Sequence, residues 1–257
     1  MSAGIHHAAA DGFGSQAAAY ARGRPDYPQA LAGWLRDEIG LGAGRRVLDL
    51  GAGTGKFSGL LAASGATVVA VEPVEAMRAQ LAARLPQVDV QAGTAEAIPL
   101  ADASCDLVAC AQAFHWFATP PALAEIRRVL KPGGELLLVW NVRDESVDWV
   151  AALTELMTPY EGDTPRFHSG AWRSVFPAEG FGPLAETAFD YVHAGPAEQV
   201  VVDRVLSVSF IAALPDAERE RVAERLRALV AGHPALAGRA EVRFPYRTLA
   251  YRARRLD

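Results

Sequence analysis

The stretch Val47-Leu48-Asp49-Leu50-Gly51-Ala52-Gly53-Thr54-Gly55-Lys56-Phe57 constrains this chain more than any other. Its left half is a short apolar run broken by one acid, the pattern of a strand buried in a parallel sheet. Its right half is a glycine-rich turn, and Phe57, Leu60 and Leu61 recur behind it at helical spacing. The order strand, tight turn, helix is the first unit of a nucleotide-type α/β fold. Glycines suit the turn because the backbone must bend sharply and let a ligand approach with no Cβ in the way. The helix N-terminus behind it offers free N–H groups to a polar or anionic ligand group. The glycines run Gly51-x-Gly53-x-Gly55, whereas a dinucleotide fingerprint has its third glycine one place later, where Lys56 stands. A phosphate P-loop fails as well: its first glycine would be Leu50, and Phe57 follows the lysine.

The totals narrow the classes. A chain of 257 residues is long enough for one large domain, and 51% hydrophobic with 21% charged residues describes a soluble globular protein. The net charge of −5 argues against general nucleic-acid binding, which shows a basic footprint. No apolar run reaches the ~18 residues of a membrane span, and no charged leader precedes an apolar block. Cys105 and Cys110 lie on one predicted strand, facing opposite sides, and do not pair with each other. A cytoplasmic protein is expected.

Residues 1–16 are rich in Ala, Gly and His, and His6-His7 reads as a tail feature, not a metal pair. Tyr20-Ala21-Arg22-Gly23-Arg24-Pro25-Asp26-Tyr27-Pro28 is extended or turning, a surface turn or a lid with Tyr20 and Arg24 facing a ligand. Gln29–Ile39 has the spacing of an amphipathic helix. Strands are expected at 67–71, 88–92, 105–111 and 135–140, with helices at 74–85 and 123–130. Lys131-Pro132-Gly133-Gly134 stops the last helix. Glu72-Pro73 ends the second strand about 20 residues after the first glycine, where such folds place an acid on the ribose hydroxyls. A carboxylate suits that place because it accepts two hydrogen bonds from a cis-diol. Gln112-Ala113-Phe114-His115-Trp116-Phe117 ends the fourth strand, at the carboxyl end of the sheet where open α/β folds bind ligands. His115 reads as a general base, a substrate hydrogen-bond donor, or a packing partner of Trp116. Residues 145–178 read as a helical insertion, followed by a strand near 184–193, helices near 196–213 and 215–231, and a last strand near 241–252.

Val47–Gly55 resembles motif I of the class I S-adenosylmethionine-dependent methyltransferases. The Arg24-Pro25-Asp26-Tyr27-Pro28 element, Gln112-Ala113-Phe114-His115-Trp116 and Leu130-Lys131-Pro132-Gly133-Gly134 resemble the small-molecule branch that includes the trans-aconitate methyltransferase-like (methyltransferase type 11) proteins. The resemblance implies a Rossmann-like, seven-stranded, mostly parallel sheet with helices on both faces, an antiparallel last strand, and helical insertions as substrate cover. Within a single structural domain, residues 1–45 would be tail, lid and helix, 46–141 the cofactor-binding core, and 142–257 the cover with the last two strands. It implies S-adenosyl-L-methionine as cofactor, S-adenosyl-L-homocysteine as product, and no metal. Implied cofactor contacts are Tyr20, Arg24, Asp49, Gly51, Ala52, Gly53, Gly55, Glu72, Pro73, Ala95, Glu96 and Gln112. Many relatives have an acid at the place of Thr94, so the Ala95 backbone and Glu96 remain for the adenine. Candidate substrate contacts are His115, Trp116, Asn141, Arg143, Tyr160, His168 and Trp172, with Tyr20, Phe114 and Trp116 as aromatic neighbours of the sulfonium. The expected activity is O-, N- or C-methylation of a small-molecule acceptor, carboxylates included, with His115 as the candidate catalytic residue. An NAD(P)-dependent oxidoreductase and a non-catalytic cofactor-binding module stand as alternatives. No nucleic-acid or membrane partner is expected, and monomer and homodimer both remain open.

Overall fold

The computed structural model describes residues 23–257. Tyr20 and the His6-His7 pair lie outside the described residues. Helix α1 (Gln29–Asp37) precedes strand β1 (Arg46–Leu50), helix α2 (Lys56–Ala63), strand β2 (Thr67–Val71), helix α3 (Glu75–Arg84), strand β3 (Asp89–Gln91) and strand β4 (Cys105–Ala111). Helix α4 (Pro120–Val129), strand β5 (Leu130–Arg143), helix α5 (Asp148–Met157), strand β6 (Ala185–Gly195), helix α6 (Asp216–Gly232) and strand β7 (Val242–Arg254) follow. The seven strands form one sheet in the order β3-β2-β1-β4-β5-β7-β6. Strands β1 to β5 pair in parallel, and β7 enters antiparallel between β5 and β6. The order reverses between β1 and β4, and the crevice above that switch point is where such sheets bind ligands.

The alternation of the buried strands builds two apolar layers, one on each face. Leu48, Leu50, Val108, Cys110, Leu136, Leu138 and Trp140 belong to one; Val47, Val68, Ala70, Leu107, Ala109, Leu137 and Val139 belong to the other. Both cysteines are free and buried. Contrary to the expected alternation, Cys105 joins the same layer as Cys110. The β4–β5 pairing shifts register between Cys105 and Leu107, so strict period-two counting fails there. The same irregularity absorbs Lys131–Gly134: Leu130 pairs with Cys105 and Glu135 with Leu107, so the expected turn is a bulge inside β5.

Helix α4 begins three residues earlier than expected. Thr119 Oγ1 accepts from Ala122 N at 3.3 Å, and Pro120-Pro121 occupy the first turn, where no N–H is needed. The 145–178 insertion is less helical than expected. After α5 only single 3-10 turns form, at Thr158–Tyr160 and Ala171–Val175, because Pro159, Gly162, Pro165 and Gly170 interrupt the segment. The expected helix at 196–213 is a π turn (Glu198–Asp203) and two short helices, Arg204–Leu206 and Ser209–Ala212. A third apolar cluster forms where Val200, Val201, Val202, Val205 and Ile211 pack with Leu153 of α5, Leu226 of α6 and Phe244 of β7. These pieces roof the carboxyl ends of β4 and β5.

Candidate active site

The glycine turn starts from the strand ends. Gly51 N and Ala52 N both donate to Val71 O, at 2.8 and 3.2 Å, which ties the turn to β2. All three glycines have left-handed backbones, at φ 72°, 57° and 79° for Gly51, Gly53 and Gly55, the region glycine enters at no steric cost. Their surroundings differ. A Cβ on Gly51 would lie 2.8 Å from Ala113 Cβ, and one on Gly55 would lie 2.6 Å from Leu81 Cγ. A Cβ on Gly53 would meet nothing nearer than Met77 Sδ at 3.7 Å. Gly51 and Gly55 are therefore needed for packing, while Gly53 presents bare backbone to a cavity. Gly51 and Gly53 line that cavity and Gly55 does not; Gly55 caps α2 from behind.

The cavity, about 240 Å³, runs from Asp49 and the glycine turn past Glu72 and Pro73 to Ala95, Glu96, Gln112 and Trp116. Glu72 is buried and bridges two backbone amides. Its Oε2 accepts from Gly53 N and its Oε1 from Val74 N, both at 2.9 Å. Burial raises the Glu72 pKa, and the Val74 and Gly53 N–H groups oppose the rise. Each carboxylate oxygen keeps a lone pair for a further donor. Arg78 Nη1 donates to Glu72 O at 2.9 Å and Pro73 O at 2.6 Å, which fixes the turn after β2. On the far wall, Arg128 donates to Ile98 O and Leu100 O while Glu125 accepts from Ile98 N. That clamp holds the Gly93–Leu100 loop with Ala95 and Glu96 on the cavity wall.

Asp49 is fully buried. Its Oδ2 accepts from Ser58 Oγ at 2.6 Å, while its buried Oδ1 has no partner among the described residues. Burial pushes its pKa up to about 7; the Ser58 hydrogen bond opposes this and the Glu72 charge adds to it. The unfolded carboxyl ionises near ~3.9. Between about pH 4 and 7 the folded state therefore holds more protons than the unfolded state, and stability falls as pH rises through that window. Asp49→Asn is expected to be more stable than the wild type at pH 8, with the difference shrinking at pH 5. Urea denaturation at both values measures this, and equal differences would refute the buried-charge account.

Gln112 ends β4 with φ 57°, an uncommon conformation for a side-chain-bearing residue and a sign of local strain at a site. A 3-10 turn, Phe114–Trp116, follows it. The turn sends Phe114 into the core and brings Trp116 and Phe117 to the cavity wall. This corrects the expectation that Phe114 faces the sulfonium: Phe114 is fully buried in the core, and Phe117, packed edge-on against it, reaches the cavity wall.

His115 faces a second cavity of about 120 Å³, which shares Arg24, Gln112, Trp116 and Arg204 with the first. Trp140 Nε1–H donates to His115 Nδ1 at 3.1 Å. The neutral imidazole then carries its proton on Nε2 and can only donate from that side. Burial, with the nearby charges of Arg166, Arg24 and His168, lowers its pKa to about 3. The ring is expected to stay neutral across pH 4–8. Following the His115 ring protons by NMR checks this, and a titration near pH 6.5 would contradict it.

The remaining candidates divide. Arg24, Asn141, Arg143 and His168 line the second cavity. Asn141 is engaged at both ends: Nδ2 donates to Asp26 O at 2.9 Å, and Oδ1 accepts from Thr248 Oγ1 at 2.6 Å. Trp172 and Tyr160 are not on either cavity wall. Trp172 is buried behind Trp140, 4.7 Å between ring centroids, and donates to Phe167 O. Tyr160 packs against the apolar cluster under the cover. Their aromatic character suited a site, but it serves the core. Met77, Phe117, Arg166 and Arg204 line the cavities without having been singled out in the sequence. Phe117 adjoins the Gln112–Trp116 block, which is a signal; Arg166 lies in an irregular segment and Arg204 opens a three-residue helix, and neither carries one. No group of three His, Cys, Asp or Glu side chains able to hold a metal occurs among the described residues, and no described helix is long and apolar enough to cross a membrane.

Sheet order, glycine turn and the acid at the end of β2 define the class I methyltransferase fold. A family model described as "Methyltransferase domain" matches residues 48–138. An uncharacterised methyltransferase-like protein of Schizosaccharomyces pombe is 39% identical over 240 residues, 93% of each chain. An uncharacterised methyltransferase of Mycobacterium tuberculosis is 43% identical over 241 residues, 94% of each chain. A protein from Anaeromyxobacter dehalogenans assigned as a type II methyltransferase has a similar structure, with a TM-score of 0.60 at 28% identity over 90% of this chain and 96% of that one. The chain belongs to the class I S-adenosylmethionine-dependent methyltransferase family.

Proposed function

We propose that the protein methylates a small-molecule acceptor, with S-adenosylmethionine held along the first cavity. The observation that carries this reading is the unpartnered, buried Asp49 Oδ1 on a wall shared with the bare backbone of Gly53 and with Glu72. A cation with N–H donors suits Asp49, and a cis-diol suits Glu72. In this assignment the Gly51-Ala52-Gly53 backbone and Asp49 hold the methionine end. Glu72 and Pro73 hold the ribose, and Ala95 and Glu96 flank the adenine. Arg24 covers the site from the segment before α1, and Gln112, Trp116 and Phe117 surround the sulfonium.

When bound, S-adenosylmethionine supplies an electrophilic methyl on a good leaving group, and S-adenosylhomocysteine departs. The chain's own task is to align an acceptor lone pair with the methyl–sulfur axis and to exclude water. Such positioning is worth up to ~7–11 kcal/mol in favourable cases. Gln112, strained at the strand end, sets the floor of the junction between the two cavities. Trp116 and Phe117 keep the junction dry and favour a sulfonium over water through their ring faces. His115, its Nδ1 taken by Trp140, serves as a donor from Nε2 to the acceptor, not as the base. An acceptor already ionised needs no base.

Titration calorimetry of the cofactor-stripped protein with S-adenosylmethionine, S-adenosylhomocysteine and NADH tests the reading. Micromolar binding of the first two and none of NADH is expected. Binding of NADH in their place would return the oxidoreductase alternative. Tight cofactor binding with no methyl uptake by any small carboxylate, phenol or amine would favour the non-catalytic module.

A further inference from the structure

The walls of the second cavity carry a charge that the fold does not require. The chain is acidic overall, at −5, and several arginines outside the cavity pair closely with two carboxylates, as Arg128 does with Glu125 and Asp102, or Arg227 with Glu198 and Glu220. Among the described residues, the second cavity is lined by four arginines and a single carboxylate, Glu145. Three of these guanidiniums are withdrawn from solvent and keep N–H donors that no protein acceptor fills well. The Arg143 side chain is 10% exposed; its carboxylate neighbour Glu145 is 3.9 Å away, and its hydrogen bond goes to the weak acceptor Met157 Sδ at 3.5 Å. Arg204 Nε donates to Tyr246 Oη at 3.1 Å, but its Nη1 is buried with no partner. Arg166 Nη1 is 3.4 Å from Glu161 Oε2 without making a hydrogen bond, and its guanidinium lies over the Phe210 ring. Burial, together with the Arg204 and Arg166 charges, lowers the Arg143 pKa to about 10. Buried like charges with open donors cost stability, and they recur where a counter-charge arrives with a ligand.

We infer that the second cavity is an oxyanion subsite, which takes a carboxylate or phosphate group of the acceptor between Arg143, Arg166 and Arg204, with His115 Nε2–H beside it. Guanidiniums meet such groups through paired N–H donors. The subsite is half the size of the first cavity, a size that suits a small polar group. The two cavities share Gln112 and Trp116, so an acceptor anchored by its anion extends toward the methyl. This inference rests on the methyltransferase reading for the identity of its ligand, but the anion site can be measured independently.

The experiment titrates the full-length protein, saturated with S-adenosylhomocysteine, with succinate, glycerol 3-phosphate and neutral succinamide by calorimetry. Succinate or glycerol 3-phosphate is expected to bind and succinamide not to; the tighter anion distinguishes carboxylate from phosphate. Arg143→Met and Arg166→Gln are each expected to weaken that binding by about 10- to 100-fold, the worth of one charged hydrogen-bonding partner. Arg166→Lys should recover part of it. Affinity for S-adenosylhomocysteine should stay within about threefold in all three variants, which separates the subsite from the cofactor site, and a melting temperature of Arg143→Met at or above wild type would mark a residue kept for binding and not for folding. Absence of anion binding to a protein that binds S-adenosylhomocysteine normally, equal binding of succinamide, or anion affinity unchanged in Arg143→Met and Arg166→Gln would overturn the subsite. Should the protein bind no S-adenosylhomocysteine, the methyltransferase reading fails, and the same titrations on the cofactor-free protein still decide the anion site.

Discussion

Gly53→Val is expected to abolish S-adenosylmethionine binding while leaving a folded protein. The backbone at Gly53 has φ 57°, so any side chain there costs about 1–2 kcal/mol. That would lower the melting temperature by a few degrees at ~2–4 °C per kcal/mol. The protein itself leaves space, since a Cβ meets nothing nearer than 3.7 Å. The valine methyls therefore intrude on the ligand and not on the core. A loss of at least ~100-fold in affinity is expected, about 2.7 kcal/mol, read by calorimetry beside a melting curve. Gly51→Val should behave in the opposite way. Its Cβ would lie 2.8 Å from Ala113, so it should lose stability first. If Gly53→Val binds the cofactor at micromolar affinity, the glycine turn is not where the cofactor lies.

Glu72→Gln carries the second large effect. The carboxylate holds Gly53 N and Val74 N, one on each oxygen, and is assigned the ribose hydroxyls. The amide keeps one acceptor oxygen and turns an NH2 group toward the other backbone N–H. An unsatisfied buried donor costs about 1–3 kcal/mol, so a lower melting temperature is expected. For the ligand, one of the two acceptors for the cis-diol is lost and the other loses its charge, and affinity should fall about 100-fold. Stability loss alone could mimic that, so the discriminating ligand is 2′,3′-dideoxy-S-adenosylhomocysteine. The wild type should prefer the ribosyl form strongly, and Glu72→Gln should lose most of that preference. A preference preserved in full in the variant would move the ribose contact to another residue.

The residues that could be read from the sequence act locally. Strand, glycine turn and helix follow from Val47–Phe57 because burial period and backbone freedom are properties of neighbouring residues. Glu72 was legible for the same reason: the length of one β-α-β unit sets where the second strand ends, and Asp49 and Gln112 share that logic. Trp172 misled because an aromatic ring suits a pocket and a core equally well, and only its packing against Trp140 and Phe167 decides between them. His115 was visible as a histidine at a strand end. Its tautomer was not, because the Trp140 indole that occupies Nδ1 comes from the adjacent strand β5.

By itself, the sequence determined the α/β class, the parallel core, the glycine turn and the acid behind it. Each is written in periodicity and spacing within about thirty residues of chain, and backbone sterics translate it directly. The tertiary structure alone decided which arginines converge. Arg143 ends β5, Arg166 lies in an irregular segment and Arg204 follows a π turn. They share one cavity because the segments between β5 and β6 and between β6 and β7 both return to the end of β5. Contacts between residues so far apart depend on which surfaces bury each other, and no local pattern records that choice.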